Sequence, residues 1–220
     1  MASEMTALLD SVQNLLVIGG GGHAKVVLDI ARLDHRYQLK GLIDKMPPGT
    51  LIGGVPVLGD DSILATLFAS GICHAHVAIG SNTLRERLFD IIMSLGFSPA
   101  TFKSRSADLS PSVRLGRGAV VMGGTVINAD TDVGDGSIIN SNASVDHDCL
   151  IGKFAHIAPG STLAGNVTVG DRSFVGAGVT IIPGVTLGSD VIVGAGACVI
   201  NDIPSGQTVV GIPAKMKRSS

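Results

Sequence analysis

Between Leu109 and Val199 the chain carries an aliphatic residue at every sixth position, and the series has no gap. Its sixteen members are Leu109, Leu115, Val121, Ile127, Val133, Ile139, Val145, Ile151, Ile157, Leu163, Val169, Val175, Ile181, Leu187, Val193 and Val199. A fixed short period is typical of a solenoid, in which each repeat packs against its neighbours. We therefore predict that this part of the chain is built from stacked short repeats.

A second position in each repeat supports the same register. The residue four places after each aliphatic residue is small or β-branched: Val113, Ala119, Thr125, Thr131, Ser137, Ala143, Cys149, Ala155, Ser161, Val167, Ser173, Val179, Val185, Val191, Ala197 and Ile203. Each six-residue unit is then one short strand followed by a turn, with both of these side chains facing inward. Glycine often follows the aliphatic residue, and we expect the turn there to need the backbone freedom of glycine. These glycines are Gly116, Gly134, Gly152, Gly170, Gly176, Gly188 and Gly194.

The first hundred residues follow a different pattern, in which short apolar runs alternate with helical periodicity. The predicted strands are residues 15–18, 39–43 and 76–79, and the predicted helices are residues 24–33, 63–68 and 83–95. This alternation is typical of βαβ units with a parallel sheet. We place the boundary near Lys103, which gives a Rossmann-like α/β domain at residues 1–103 and a solenoid with a C-terminal tail at residues 104–220.

A glycine-rich loop, Gly19–Ala24, lies between the first predicted strand and the first predicted helix and matches the G-x-G-x-x-A form of the dinucleotide-binding loop. Glycines let the backbone approach a phosphate, and the amides at the start of the helix point toward the anion. Asp44 ends the second strand, where a dinucleotide enzyme would hold a ribose. Taken alone, this domain could belong to an NAD-dependent dehydrogenase, although the rest of the chain offers no substrate domain of the expected kind.

The composition of the chain argues against several classes of protein. The aromatic content is only 3%, with no Trp, against 45% hydrophobic residues, which suits a narrow prism filled with small aliphatic side chains. A net charge of −2 gives no case for nucleic acid binding. No apolar run is long enough to span a membrane, and the start, residues 1–10, lacks the basic segment of a secretory signal. The three cysteines, Cys73, Cys149 and Cys198, are unclustered. Cys149 and Cys198 fall on or beside inward solenoid positions, which favours buried thiols in a reducing cytoplasm.

Several segments together carry a resemblance over nearly the whole chain. They are Gly19–Val27, Ile43–Asp44, Ala78–Asn82, the sharply matching Asn140–Gly160 and the C-terminal Val210–Lys215. With the six-residue repeats, this combination resembles the family of nucleotide-amino-sugar N-acetyltransferases and sialic acid O-acetyltransferases. The resemblance implies a left-handed parallel β-helix with three repeats in each triangular coil, and hence about five coils. It also implies a homotrimer that binds acetyl-CoA between subunits and an N-terminal domain that holds a nucleotide-linked amino sugar.

Acyl transfer from a thioester to a sugar amine needs a base, and histidine is the usual choice near neutral pH. The solenoid has two histidines, His147 and His156, and His147 lies between Asp146 and Asp148. A carboxylate that is bonded to one ring nitrogen fixes the tautomer and stabilises the imidazolium. By resemblance, His147 is the general base and Asp148 its partner, although contact between adjacent residues requires a bend at that point. For Asp146 we favour a role as a turn acid that serves the backbone.

The resemblance also assigns the binding residues. It implies that His156 and the exposed backbone amides around Gly176 bind acetyl-CoA. The positions matching the nucleotide-sugar site are Gly21, Gly22, His23, Asp44, Lys45 and Gly80, and Asn140 is a further candidate for substrate contact. His156 follows His147 by half a coil and cannot stack directly on it, so a neighbouring subunit would have to bring the two into one site.

The function predicted from these observations is acetyl-CoA-dependent N-acetylation of a UDP-4-amino-4,6-dideoxy-N-acetylhexosamine of the bacillosamine type, for a bacterial surface glycan. GDP-perosamine N-acetylation and sialic acid O-acetylation are alternatives of the same chemistry. Two alternatives come from other functional classes: an NAD-dependent dehydrogenase and a non-catalytic trimeric scaffold. A metal enzyme similar to γ-class carbonic anhydrases is disfavoured, because a catalytic zinc site normally has three protein ligands and this solenoid offers two histidines.

Overall fold

The two halves of the chain adopt the two kinds of structure that their patterns predict. The computed structural model describes residues 12–217. Residues 1–10, from which we predicted the absence of a secretory signal, lie outside the described residues. The chain divides into two compact units: the first comprises the residues up to Ile79 with Arg87–Ala100, and the second comprises Gly80–Glu86 with the chain from Thr101 onward.

The first unit is a parallel sheet with helices between its strands. Its elements are β1 (Gln13–Ile18), α1 (Gly22–Arg32), β2 (Tyr37–Ile43), β3 (Leu51–Ile52), β4 (Val55–Gly59), a 3-10 turn (Asp61–Ile63), α2 (Leu64–Ala69), β5 (His74–Val77) and β6 (Ser98–Pro99). The helix α3 (Asn82–Ser94) is divided: its residues up to Glu86 belong to the second unit, and those from Arg87 belong to the first. The strand order is β3-β4-β2-β1-β5-β6. Leu15, Leu16 and Val17 are 0% exposed, as expected for a strand covered on both faces. Within residues 12–217, none of the helices has the length and apolar character needed to span a bilayer.

The hairpin of β3 and β4 was not predicted from the sequence; the two strands pair antiparallel through Leu51 with Pro56 and Ile52 with Val55. Gly53 and Gly54 form its two-residue turn with φ angles of 53° and 79°. Positive φ at both central positions defines the type I′ turn, and Gly-Gly between two apolar pairs is a recognised signal for it. The signal was therefore present in the sequence.

The second unit is a left-handed parallel β-helix with three faces. The first face contains β7 (Phe102–Lys103), β10 (Val120–Val121), β13 (Ile138–Ile139), β16 (His156–Ile157), β19 (Phe174–Val175), β22 (Ile192–Val193), β24 (Thr208–Val210) and β25 (Lys215–Met216). The second contains β8 (Asp108–Leu109), β11 (Val126–Ile127), β14 (Ser144–Val145), β17 (Thr162–Leu163), β20 (Thr180–Ile181) and β23 (Cys198–Val199). The third contains β9 (Arg114–Leu115), β12 (Asp132–Val133), β15 (Leu150–Ile151), β18 (Thr168–Val169) and β21 (Thr186–Leu187).

Both predicted inward positions are confirmed. Strands on one face pair with residues eighteen positions later, for example Ile127 with Val145 and Val145 with Leu163. The aliphatic series and the series four places later together form one continuous core. Hydroxyl groups that enter this core are satisfied, as where Ser137 donates to the carbonyl of Gly152 at 2.7 Å.

The predicted reason for the glycines that follow the aliphatic residues was wrong. Positive φ angles occur two places further along the chain, for example at Gly136 (63°) and not at Gly134. A Cβ atom on Gly134 would instead lie 2.7 Å from the backbone nitrogen of Lys153 in the next coil, and one on Gly170 would lie 2.4 Å from that of Ser189. Glycine is required at these positions because successive coils approach each other closely.

Candidate active site

His147 lies at the corner between the second and third faces, in the turn from β14 to β15. Its side chain is 58% exposed, and that of Asp148 is 59% exposed. Asp148 has a φ of 56°, so the chain bends sharply here and the two adjacent side chains converge. The Nδ1 atom of His147 lies 2.7 Å from Oδ2 of Asp148. The structure thus supplies the bend that direct contact requires.

The surrounding carboxylates favour the protonated form of His147. The hydrogen bond with Asp148 raises the pKa of His147, and the negative charge of Asp146 raises it further. An ionised carboxylate can only accept, so Nδ1 carries the proton and Nε2 carries the lone pair. Asp146 itself accepts hydrogen bonds from Asn128 Nδ2 and from the backbone N–H of His147, both at 2.8 Å. His147 therefore carries a basic nitrogen on an exposed side chain.

The ring of His147 lies over Gly165, one coil further along the solenoid. A Cβ atom on Gly165 would lie 2.6 Å from both Cε1 and Nε2 of His147. The same corner position is occupied by Ala129 in the coil before His147 and by Pro183 in the coil after Gly165. The absence of a side chain at Gly165 therefore leaves room for the ring in its observed orientation.

His156 is placed very differently. It lies on the first face, in β16, and is only 8% exposed. Asn140 Nδ2 lies 3.0 Å from its Nε2, and the ring of Phe174 meets it edge-on with centroids 5.2 Å apart. Burial, followed by the charge of Arg85, lowers the pKa of His156 to about 4, so the ring is neutral at physiological pH. Because the first face is opposite the corner that holds His147, one chain does not bring the two histidines together.

Gly176 is buried at the end of β19. Its N–H donates to the carbonyl of Val193 at 2.9 Å, and its carbonyl accepts from Ser161 Oγ at 2.8 Å. The amide of Gly176 itself is thus committed within the solenoid, and any exposed amide around it belongs to a neighbouring residue. The exposed residues next to it are Ala177 and Gly178.

The glycine loop of the first unit is open. Gly21 and Gly22 are exposed and have no atom within 4 Å of an added Cβ, and His23 lies half-buried in the first turn of α1. A Cβ atom on Gly20 would lie 3.0 Å from Oδ2 of Asp44, so the carboxylate sits beside the loop. Oδ1 of Asp44 accepts from the backbone N–H of Met46 at 3.1 Å.

Asp44 and Lys45 line a cavity of about 360 Å³ at the ends of β2 and β4. The other side chains around it include Met46, Pro47 and Leu58, so the cavity combines charged and apolar walls. Gly80, assigned by resemblance to the same substrate site, belongs to the second unit, where its carbonyl accepts from Arg85.

Comparison with protein-family models matches residues 14–92 to the PglD N-terminal domain, and residues 148–182 and 166–201 to the bacterial transferase hexapeptide (six repeats). Among solved structures, a histidine-to-asparagine mutant of perosamine N-acetyltransferase from Caulobacter crescentus, in complex with CoA and GDP-perosamine, is 45% identical. The match covers 95% of this chain and 99% of that chain, with a TM-score of 0.91. This chain belongs to the hexapeptide-repeat sugar acetyltransferases.

Two further structures agree with this family assignment. The acetyltransferase domain of PglB from Neisseria gonorrhoeae is 38% identical over 93% of this chain and 100% of that chain, with a TM-score of 0.89. WeeI from Acinetobacter baumannii is 28% identical over 93% and 100%, with a TM-score of 0.84. The comparison with curated proteins gives no match. The glycine loop of this acetyltransferase thus belongs to a PglD-type domain and not to a dehydrogenase.

Two residues of the acetyltransferase were missed by the sequence analysis. Gly165 could have been found, because it lies eighteen residues after His147 in the predicted stacking register. Arg85 is 1% exposed and bonds to carbonyls 51 and 69 residues away, at Gly136 and Phe154. No local pattern in the sequence predicts these long-range hydrogen bonds.

Gly165→Ala should lower kcat by about 10- to 100-fold, because a 1 Å displacement of a reacting group can cost that much. The added methyl group would push the ring of His147 out of place, while KM and the melting temperature should change little. Steady-state kinetics and thermal melts of the variant measure these effects.

Gly123→Ala is the matched control, since it occupies the same position within its repeat. Its Cβ would lie 3.0 Å from Ser106 Oγ, the movable end of a side chain. Equal activity of the two variants would show that His147 does not depend on the space at Gly165.

Asp148→Asn should move the acid limb of the pH profile of kcat/KM to lower pH. As the general base that the resemblance implies, His147 would accept a proton only when it is unprotonated, so activity should fall as the pH drops through its pKa, and Asp148 raises that pKa. The plateau should fall by about tenfold, because the imidazolium loses its partner. Asp148→Glu is the control and should return the acid limb most of the way to its wild-type pH. An acid limb at an unchanged pH in Asp148→Asn would contradict the pairing of His147 with Asp148.

Proposed function

We propose that this chain transfers the acetyl group of acetyl-CoA to the amino group of a nucleotide-linked 4-amino-4,6-dideoxy sugar. The observation that carries the proposal is the exposed pair of His147 and Asp148, whose ring nitrogen and carboxylate lie 2.7 Å apart at a solenoid corner. The family supports it, since the Caulobacter crescentus enzyme was crystallised with CoA and GDP-perosamine. The PglB domain was crystallised with acetyl coenzyme A.

In the proposed reaction the sugar amine attacks the thioester carbonyl carbon, and the new C–N bond forms as His147 Nε2 takes a proton from the nitrogen. Asp148 stabilises the resulting imidazolium. Collapse of the tetrahedral intermediate breaks the C–S bond, and the proton on His147 passes to the departing CoA sulfur. Backbone N–H groups aimed at the developing oxyanion would lower the barrier.

The proposed acetyl-CoA site is formed by two copies of the chain in a homotrimer. His147 and His156 lie on opposite sides of one solenoid, so a groove between two solenoids is the arrangement in which both can serve one site. In it, His156 and the exposed residues next to Gly176 would contact acetyl-CoA, and Asn140 would contact the substrate. The expected compartment is the cytoplasm, where acetyl-CoA and nucleotide sugars are made.

We propose that the first unit holds the nucleotide. The open loop at Gly21, Gly22 and His23 offers amides for the diphosphate, and Asp44 with Lys45 lines the adjoining cavity. The likeness at 45% and 47% identity to an enzyme with bound GDP-perosamine moves the GDP-linked sugar ahead of the UDP-linked sugar that the sequence analysis placed first.

A panel of sugar nucleotides tests this proposal. GDP-perosamine, a UDP-4-amino-4,6-dideoxy-N-acetylhexosamine and a CMP-linked sialic acid are each incubated with acetyl-CoA. Free thiol release gives the rate, and mass spectrometry locates the acetyl group. We expect GDP-perosamine to give the highest kcat/KM and an N-acetyl product. A higher kcat/KM for the UDP-linked sugar would show that the substrate carries UDP and not GDP. The absence of any acetylated product would overturn the proposed function.

A further inference from the structure

Arg85 is a buried charge in the second unit that the proposed chemistry has not used. It lies near the start of α3 and is 1% exposed. Its Nε atom donates to the carbonyl of Gly136 at 2.6 Å, and its Nη1 atom donates to the carbonyl of Gly80 at 3.3 Å. Its Nη2 atom donates to the carbonyls of Phe154 (2.6 Å) and Ala155 (3.4 Å) and to Oδ1 of Asn82 (2.8 Å). Burial lowers the pKa of Arg85 to about 9, which leaves the group protonated at neutral pH.

These hydrogen bonds converge on the surroundings of His156. Phe154 and Ala155 are the two residues immediately before His156, so their carbonyls fix the backbone at the start of β16. The backbone of Gly80, which accepts from Arg85, also opposes the lowering of the pKa of His156. The Gly80 backbone therefore acts on both side chains.

The same contacts define the protonation state of the ring. The backbone N–H of Ser141 donates to Asn140 Oδ1 at 2.8 Å, which leaves Asn140 Nδ2 as the atom that faces His156. Nδ2 donates to Nε2 of His156 at 3.0 Å, so Nε2 carries the lone pair and Nδ1 carries the proton. Among the groups around the ring, Asn140, Phe174 and the backbone of Gly80 are neutral, and Arg85 supplies a positive charge that opposes a second proton.

A change in this state would reorient Asn140. A protonated His156 would donate from Nε2 and would require Asn140 to present its oxygen, which would break the hydrogen bond with Ser141. With His156 neutral, the amide keeps the orientation in which Oδ1 accepts from Ser141 and Nδ2 donates to His156. The direction of the Asn140 donor thus depends on the charge of His156.

We propose that Arg85 is a positioning residue for acetyl transfer: it holds His156 in the neutral form, and a neutral His156 keeps Asn140 in its observed donor direction. This inference rests on the proposed function, in which His156 and Asn140 contact acetyl-CoA and substrate. It assigns no contact between Arg85 and either ligand.

The first test uses the unmodified protein. Long-range 1H–15N correlation spectra report the tautomer and titration of each imidazole, and the His156→Gln spectrum assigns the His156 signals. We expect a neutral ring with the proton on Nδ1 that does not titrate until about pH 4. A ring protonated on Nε2, or one that titrates near 6.5, would overturn the proposal whether or not the chain transfers acetyl groups.

The second test uses variants of Arg85. Arg85→Met should move the titration of His156 to higher pH and lower kcat by about tenfold or more, as expected for misplaced groups. Arg85→Lys keeps the charge without the planar fork, so His156 should stay neutral and kcat should fall less. Arg87→Met, at an exposed position of the same helix, should change neither readout.

The outcomes separate a positioning role from a purely structural one. A lower melting temperature for Arg85→Met with an unchanged His156 spectrum and an unchanged kcat would leave Arg85 a structural residue and defeat the proposal. If Arg85→Met does not fold, the wild-type spectrum and the Arg85→Lys variant still decide the question. Loss of neutral His156 in Arg85→Lys would also contradict the assigned role of the charge.

Discussion

His147→Asn should lower kcat by about 10²- to 10⁴-fold, the usual contribution of a general base. The asparagine amide cannot take a proton from the sugar amine, but it approaches the shape of the ring and leaves the corner exposed. The variant should therefore keep its melting temperature and its affinity for CoA. Initial rates, calorimetric titration with CoA and thermal melts measure the three quantities.

A related enzyme gives a precedent for retained binding in such a variant. The histidine-to-asparagine mutant of the Caulobacter crescentus enzyme was crystallised with both CoA and GDP-perosamine. His35→Asn is the matched control here, because His35 is exposed in the first unit and lies outside the proposed chemistry. A His147→Asn protein with near-normal kcat would mean that another group accepts the proton.

Val145→Asp should unfold the solenoid or destabilise it by at least about 3 kcal/mol, the cost expected for an unpaired charge in the interior. Val145 is 0% exposed and stacks inside the prism between Ile127 and Leu163. For a chain of this length the loss corresponds to a fall of roughly 10 °C in melting temperature. Thermal or urea unfolding followed by circular dichroism gives the value.

Ser144→Asp is the control for this prediction, because Ser144 is the adjacent residue of the same strand and faces away from the core. It receives the same substitution and should melt within a few degrees of the wild type. If Val145→Asp melted like Ser144→Asp, the inward register of the six-residue repeat would be wrong.

The solenoid was predictable because its register is local. Each repeat needs an aliphatic residue such as Val145 and a small one such as Cys149 at fixed spacing, and the triangular coil follows from stacking them. The role of the intervening glycines was not predictable in the same way. The close approach of Gly134 to Lys153 depends on the distance between coils, which the periodicity does not contain.

The sequence supplied candidate residues for the site but not their arrangement. The resemblance supplied His147 and Asp148, and the bend at Asp148 that lets them meet became visible only in the folded turn. Arg85 shows the limit most clearly, since it lies by number within the predicted domain at residues 1–103 but packs with the second unit. Its hydrogen-bond partners lie far along the sequence, so local sequence patterns cannot predict them.

A crystal structure of the protein with CoA and GDP-perosamine tests the role of His147 most directly. We expect the amino nitrogen of the sugar to lie about 2.6–3.2 Å from Nε2 of His147, or to be joined to it by one water molecule. A sugar amine bound beyond the reach of His147, with no such water between them, would contradict the assignment of His147 as the base.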